Sequence, residues 1–385
     1  MRPVFARFTA SAEVTVARAT YSLRPSRCGI GLMACLLLAL AGCAPKAPPT
    51  DRGQQYKDGE ITQPLKPVAQ VNSRLLPQNQ NEFSQQVENV KFGSPSLHFR
   101  QQHTYADIYR WLDAGADPRK LAQFGLQPYL MAGGDNQGNV LFTGYYTPVL
   151  QARHKPDAVY RYPLYALPKG NARFTRAEIY NGALQGKDLE LAYSASMLDN
   201  FMMEVQGSGY VDFGNGEPLA YFGYAGKNGY AYTSIGRVLI DRGEVPREQM
   251  SLDAIRKWAN THTPQQVQEL FEQNQSYVYF EPRAAAPVVG ASGIPLVAKA
   301  SVAGDKSLIP PGSVLLAEVP LLDGQGRFTG KHEMRLMLAL DVGGAVKGNH
   351  FDIYHGVGDD AGKEAGFYQH FGRVWVLKSP ADGRL

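Results

Sequence analysis

Two aspartates near the C-terminal end, Asp341 and Asp352, are the residues whose type and setting could do acid–base chemistry. A pair of carboxyl groups can cleave a glycosidic bond with inversion or retention, and their separation decides which. One carboxyl group suffices where the substrate carries its own nucleophile. It first protonates the glycosidic oxygen and then takes the proton of an internal hydroxyl. That double role needs a raised pKa, which burial beside Phe351, Ile353 and Tyr354 favours and a nearby cation opposes. The plain alternative is that both aspartates accept hydrogen bonds in turns. A metal reading would use His350, Asp352 and His355, but their spacing matches neither H-E-x-x-H nor any closed ligand set, and they fall on a strand pattern. No metal and no cofactor is expected. Gly207-Ser208-Gly209 lacks the glycine placement of a nucleophile elbow, which removes a serine hydrolase.

The elements that must position these aspartates read as two strands. Leu336, Leu338 and Leu340 alternate with Met337 and Ala339, so the first strand is apolar on both faces and buried, ending at Asp341. A turn from Gly343 to Gly348 follows. Beyond it Phe351 and Ile353 share one face, and His350, Asp352 and Tyr354 the other. Asp352 therefore points away from the apolar pair, toward a possible cleft.

Further upstream, Tyr105, Ile108, Tyr109 and Leu112 follow helical spacing, with Thr104 as N-cap and Gly115 as stop. Val140 to Thr143 is a strand running into Gly144-Tyr145-Tyr146-Thr147-Pro148. Paired tyrosines there suit either a sugar-binding wall or a half-buried strand. Between about 150 and 285 the texture changes. Short strand-like runs (Arg161 to Leu167, Leu189 to Ser194, Glu204 to Gln206) alternate with glycine turns. Helices follow: Ile235 to Arg242 closed by Gly243, one starting at Ser251, and one opened by a Thr263–Gln266 capping box with Val267, Leu270 and Phe271 as its buried stripe. Gln206-Gly207-Ser208-Gly209-Tyr210 and the run Tyr224 to Tyr230, which includes Lys227, are not nucleotide loops. They read as contacts for a polyhydroxylated ligand or as polar surface turns. From Pro287 the chain is all β, with turns at Ile309 to Gly312 and Asp323-Gly324 and a last buried strand from Arg373 to Leu377, consistent with a small closed barrel.

A length of 385 residues allows two domains, and 40 Gly, 25 Pro and 21 Tyr favour strands and turns over helix. The formal charge of +4 resides in the first 42 residues, which hold Arg2, Arg7, Arg18, Arg24 and Arg27 against Glu13, so the rest sums to zero and no basic footprint for nucleic acid is left. Cys28, Cys35 and Cys43 are the only cysteines. The apolar stretch from Cys28 to Gly42 is too short to span a bilayer and reads as a signal-peptide core. Leu40-Ala41-Gly42-Cys43 resembles the lipobox of bacterial lipoproteins, which makes Cys43 the lipid-bearing first mature residue. Ala44 in place of aspartate implies the outer membrane. A Pro- and Gln-rich spacer follows.

The run from Asp341 to Gly348 with His350-Phe351-Asp352-Ile353-Tyr354 resembles the three-aspartate domain, whose first aspartate would be Asp305 in SVAGDKSLIPPGS. With TDRGQQYKDG, FTGYYTP, QGSGYVDFG, YAGKNGYAY, SIGRVLIDRGEV and FGRVWVL, the chain from Thr50 to about Lys378 resembles the membrane-bound lytic murein transglycosylase A family. The resemblance implies a mainly β fold: a double-psi β-barrel with an inserted second β-rich domain carrying some helices, and a groove between them. The expected division is 1–42 signal peptide, 43–70 lipidated tether, 71–147 and 286–385 barrel, and 148–285 insert. It implies Asp352 as sole catalytic acid, Asp341 in support, Asp305 structural, and Tyr145, Gln206, Ser208, Tyr210 and Lys227 along the groove. The implied reaction cleaves the MurNAc–GlcNAc β-1,4 bond without water and leaves a 1,6-anhydro end. A non-catalytic binding barrel and an inverting muramidase stay open as alternatives. The expected partners are peptidoglycan glycan strands and, through the lipid, the periplasmic face of the outer membrane, with no nucleic acid. Wall-synthesis proteins are a partner class the sequence leaves open.

Overall fold

A computed structural model of the protein describes residues 52–170, 173–284 and 286–383. The stretch read as a signal peptide, Cys43 and the first part of the expected spacer lie outside the described residues. In chain order the first stretch comprises β1 (Leu65–Pro67), α1 (Gln80–Gly93), α2 (Pro95–Arg100), α3 (Gln102–Asp113), β2 (Gln127–Met131) and β3 (Val140–Thr147). The middle begins with β4 (Val149–Arg153), β5 (Tyr162–Tyr165), α4 (Arg176–Tyr180), β6 (Glu190–Ser194), α5 (Met197–Gln206) and β7 (Gly209–Asp212). It continues through β8 (Ala220–Lys227), α6 (Ile235–Asp241), α7 (Leu252–Thr261), α8 (Pro264–Glu272) and β9 (Val278–Ala284). The last stretch holds β10 (Ser301–Ala303), β11 (Val314–Leu322), β12 (Phe328–Asp341), β13 (His350–Val357), α9 (Asp359–Phe367) and β14 (Gln369–Lys378).

Strand pairing makes two sheets. In the first, β14, β11, β12, β10, β13 and β3 follow one another, and β3 pairs back onto β14, so six strands close into a barrel. β2 and β1 extend outward from β14. The double apolar alternation of β12 now has its cause. Met337 and Ala339 join Phe142, Phe351, Ile353, Val374 and Val376 inside the barrel. Leu336, Leu338 and Leu340 face outward, where Val87, Ile108 and Trp111 of α1 and α3 cover them together with Trp375. Each leucine buried this way contributes on the order of 1.5–3 kcal/mol.

The second sheet, in the order β5-β6-β4-β7-β8-β9, takes all its strands from the middle stretch. Helices α5 to α8 pack into one cluster that includes Phe201, Leu239, Trp258, Leu270 and Phe271. The two sheets meet along a seam where Tyr221 and Val288 pack on Tyr354, with Tyr145 and Tyr210 alongside.

Three expectations are corrected. Glu204 to Gln206 is not a strand but the end of α5, capped by the Ser196 side chain and terminated by Gly207 at φ +84°. The override is tertiary: Leu198, Phe201 and Met202 bury a helical stripe, and Glu204 pairs with the equally buried Arg176 at 2.7 Å. Thr104 is not an N-cap but lies within α3. The free N–H groups of His103 and Thr104 are met instead by the Asp382 carboxylate at 3.2 and 2.7 Å, from the other end of the chain. The described part of the 43–70 tether, from residue 52, is not a free spacer. Tyr56 and Ile61 are buried, and β1 pairs with β2.

Gly144, midway along β3, is held against α9. A Cβ there would come within 2.7 Å of the Ala365 backbone and 2.9 Å of the His355 ring. Because backbone must give way, Gly144→Ala should destabilise the fold by about 1–3 kcal/mol. Thermal unfolding checks this, and an unchanged melting temperature would contradict the packing described.

Candidate active site

Asp341 and Asp352 are brought together by lateral register. Ala303 of β10 pairs on one side with Asp341 of β12 and on the other with Asp352 of β13, which in turn pairs with Thr143 of β3. Asp341, Ala303, Asp352 and Thr143 thus form one row, with two strand spacings, about 10 Å, between the Cα atoms of the aspartates. Simple alternation would have left Asp341 on the inner face with Met337 and Ala339. Instead Val302 pairs with Ala339 while the next residue, Ala303, pairs with Asp341, so Leu340 is an extra residue on β12. This bulge turns Asp341 outward beside Asp352.

The two carboxyl groups differ in their partners. Asp341 accepts from the Ala291 and Val342 backbone N–H groups at 2.8 Å each and from the Tyr145 hydroxyl at 3.0 Å. Burial raises its pKa, and those three donors oppose the rise. Asp352 accepts one bond, from the Thr143 hydroxyl at 2.7 Å. Burial pushes its carboxyl up to about 7; the Thr143 bond restrains the shift and the charge of Asp341 adds to it. Asp305 binds Ser307 through one oxygen and the Gly348 backbone N–H, at 3.0 Å, through the other. It ties down the turn ahead of β13, and its carboxyl is lowered to about 2, chiefly by the Gly348 bond.

Of the other expected site residues, Tyr145 touches the row directly, through Asp341, and its ring lies 5.2 Å from that of Tyr354. Tyr210 donates to the Ala286 carbonyl at 2.9 Å and belongs to the same seam. Gln206 accepts from the Tyr146 backbone N–H at 3.1 Å, joining the end of α5 to β3. Ser208 is half-buried in the turn between α5 and β7. Lys227 is exposed at the end of β8. His350 and Asp352 share a face, whereas His355 points the opposite way, to Glu364 at 3.6 Å. Among the described residues, no group of three or more His, Cys, Asp and Glu is placed to hold a metal ion.

A family model described as the MltA specific insert domain matches residues 141–175 and 169–281, and one described as the 3D domain matches residues 300–378. The membrane-bound lytic murein transglycosylase A of Escherichia coli strain K12 is 56% identical over 356 residues, covering 92% of this chain and 97% of that protein. Its namesake in Vibrio cholerae serotype O1 is 53% identical over 342 residues, covering 89% and 92%. The crystal structure of E. coli MltA with bound chitohexaose matches with a TM-score of 0.83 at 57% identity, covering 86% of this chain and 99% of that one. The chain belongs to the membrane-bound lytic murein transglycosylase A family.

For this lytic transglycosylase, sequence reasoning missed two residues of the row and one near it. Thr143 was legible only as the polar residue in an apolar strand; its pairing with Asp352 was not. Ala303 separates the aspartates and is buried. Tyr232, in the loop after β8, has its hydroxyl raised by burial, which the Ser234 bond and Arg176 oppose, and the charge of Asp352 adds a smaller rise.

The raised carboxyl of Asp352 has a consequence for stability. An ordinary aspartate titrates near 4, and this one near 7. Between those values the folded protein keeps a proton that the unfolded chain has lost. Its contribution is therefore complete below pH 4 and declines as pH rises to 7. Asp352→Asn should flatten the fall in melting temperature across pH 4 to 7, and melts giving the wild-type slope would contradict the raised pKa.

Proposed function

We propose that this lytic murein transglycosylase cleaves the β-1,4 bond between MurNAc and GlcNAc with Asp352 as its one proton carrier. The observation that carries the reading is the contrast within the row: Asp352 near 7 and held by a single hydroxyl, Asp341 engaged by three donors. A carboxyl poised near 7 is protonated often enough to act as an acid and ionised often enough to act as a base. Asp352 gives its proton to the glycosidic oxygen as the bond to muramyl C1 breaks. Its carboxylate then takes the proton of the muramyl C6 hydroxyl as that oxygen bonds to C1, closing the 1,6-anhydro ring and restoring the acid. No water enters.

Asp341 supports the site by holding Tyr145. Direct use of Asp341 as a water-activating base, as an inverting muramidase would need, is disfavoured because its oxygens are already occupied by the Ala291, Val342 and Tyr145 donors. The glycan strand lies in a groove between a barrel domain (71–147 with 286–385) and an inserted domain (148–285), along Tyr145, Gln206, Ser208 and Tyr210 and extending toward Lys227. The chitohexaose held by the E. coli relative supports a β-1,4-linked amino-sugar ligand. Lipid attachment at Cys43, after removal of residues 1–42, places the enzyme on the periplasmic face of the outer membrane, in keeping with relatives named membrane-bound.

Incubation of the mature protein with murein sacculi, followed by mass spectrometry of the fragments, tests the reading. Anhydro-muropeptides are expected; reducing ends would point to the hydrolase and no release to a binding barrel. Asp352→Ala should lower cleavage by roughly 10²–10⁴-fold while sacculus binding persists, and unimpaired cleavage would sink the assignment. Asp341→Asn should cause partial loss.

A further inference from the structure

The Thr143 hydroxyl sits between two titratable groups. Its Oγ1 is 2.7 Å from Asp352 Oδ1 and 2.7 Å from His350 Nε2. A threonine hydroxyl has one proton to donate, so when it donates to one neighbour it must accept from the other. The two bonds therefore run in the same direction along the chain, and they reverse together. With Asp352 ionised, Thr143 donates to the carboxylate and His350 must present an Nε2–H. With Asp352 protonated, the carboxyl donates to Thr143, and Thr143 donates to a bare Nε2. A neutral imidazole meets either demand by choice of tautomer, which no lysine, arginine or apolar side chain could do.

The surroundings suit that part. Burial holds the His350 ring below the usual histidine range, and the Ala345 carbonyl, on the turn before β13, accepts a hydrogen bond from it. With Nε2 turned to Thr143, that bond falls to the other nitrogen and favours the bare-Nε2 tautomer that protonated Asp352 requires. Ionised Asp352 instead requires the ring to move its proton to Nε2 and forgo the Ala345 bond. The titratable groups that face Asp352 are Asp341 from β12, Tyr145 from β3 and Tyr232 from the loop after β8. None of these is bonded to His350, whose polar neighbours are Thr143 and Ala345.

We infer that His350 is a positioning residue for Asp352, acting through the Thr143 hydroxyl in a two-bond chain that reverses direction as Asp352 passes from acid to base. The inference rests on the acid–base reading of Asp352 given above. It differs from a merely structural histidine in what it demands of pH. Without the hydroxyl, the carboxylate loses the one donor it has among the described residues. Without the imidazole, the hydroxyl has no outer acceptor and is left to donate to the carboxylate alone.

The test is the pH profile of kcat on murein sacculi for variants of the full mature chain. Thr143→Val should move the optimum up and His350→Phe should move it down, each by about one pH unit, while Thr143→Ser keeps the wild-type optimum. Reduced rates with unshifted optima in both variants would overturn the inference. Should His350→Phe fail to fold, ¹⁵N NMR of the His350 ring in the wild-type fold decides. The proton should exchange between ring nitrogens as Asp352 titrates near pH 7, and Asp352→Asn should abolish that response; ring signals indifferent to Asp352 would overturn the inference. Asp352→Ala separates the two levels. If it still cleaves, the reading of Asp352 fails and this inference with it; if it is inactive and the optima do not shift, only the inference fails.

Discussion

The site depends on one short strand. β10 is only Ser301–Ala303, yet it pairs in parallel with β12 and antiparallel with β13, and so sets the distance and phase between the strands that carry the two aspartates. All three of its residues are buried. Val302 fills the barrel interior, and Ala303, the buried residue between Asp341 and Asp352 in the row, puts only a methyl group between them. Pairing of β3 with β13 sets Thr143 beside Asp352, and closure of β3 onto β14 holds the other edge of that strand. Barrel closure and acid placement are thus one constraint, because a strand pairing slipped by a residue reverses which side chains face out.

The electrostatics follow from what the row contains. Desolvation dominates at Asp352, and the Thr143 hydroxyl is what opposes it. Asp341 adds a charge of like sign, yet its own oxygens are met by fixed donors, two of them backbone N–H groups. The result separates two chemically identical side chains: the carboxyl of one is pushed up to about 7, and the other is bonded to Tyr145 and the neighbouring backbone. The environment, not the residue type, divides the labour.

The second sheet reaches the barrel through aromatic packing rather than through charge. The Tyr210 and Tyr221 rings meet at 5.4 Å, tilted by 55°, and close against Tyr354, two residues beyond Asp352. Its own rigidity comes from elsewhere, since Arg176 is enclosed by Tyr180, Phe201 and Tyr277 while it pairs with Glu204. A wall that stiff can hold tyrosines at a groove without much rearrangement.

Much of this was legible in the order of residues. The alternation from His350 to Tyr354 determined that Asp352 faces away from Phe351 and Ile353, because a strand repeats every two residues whatever packs on it. The apolar run of β12 determined a strand buried on both faces, and the Thr263 capping box and the Gly243 stop held because caps are local. What failed was non-local. Glu204 lies in a helix because Arg176 and a buried stripe are there to receive it, and α3 is capped by Asp382, some 280 residues away in the chain. The bulge at Leu340, the pairing of Thr143 with Asp352 and the placing of Tyr232 likewise belong to tertiary structure. They depend on which strands become neighbours, and pairing partners leave no trace in the local pattern of a single strand. The sequence by itself determined that Asp352 would be presented; only the closed barrel decided what stands beside it, and hence its pKa.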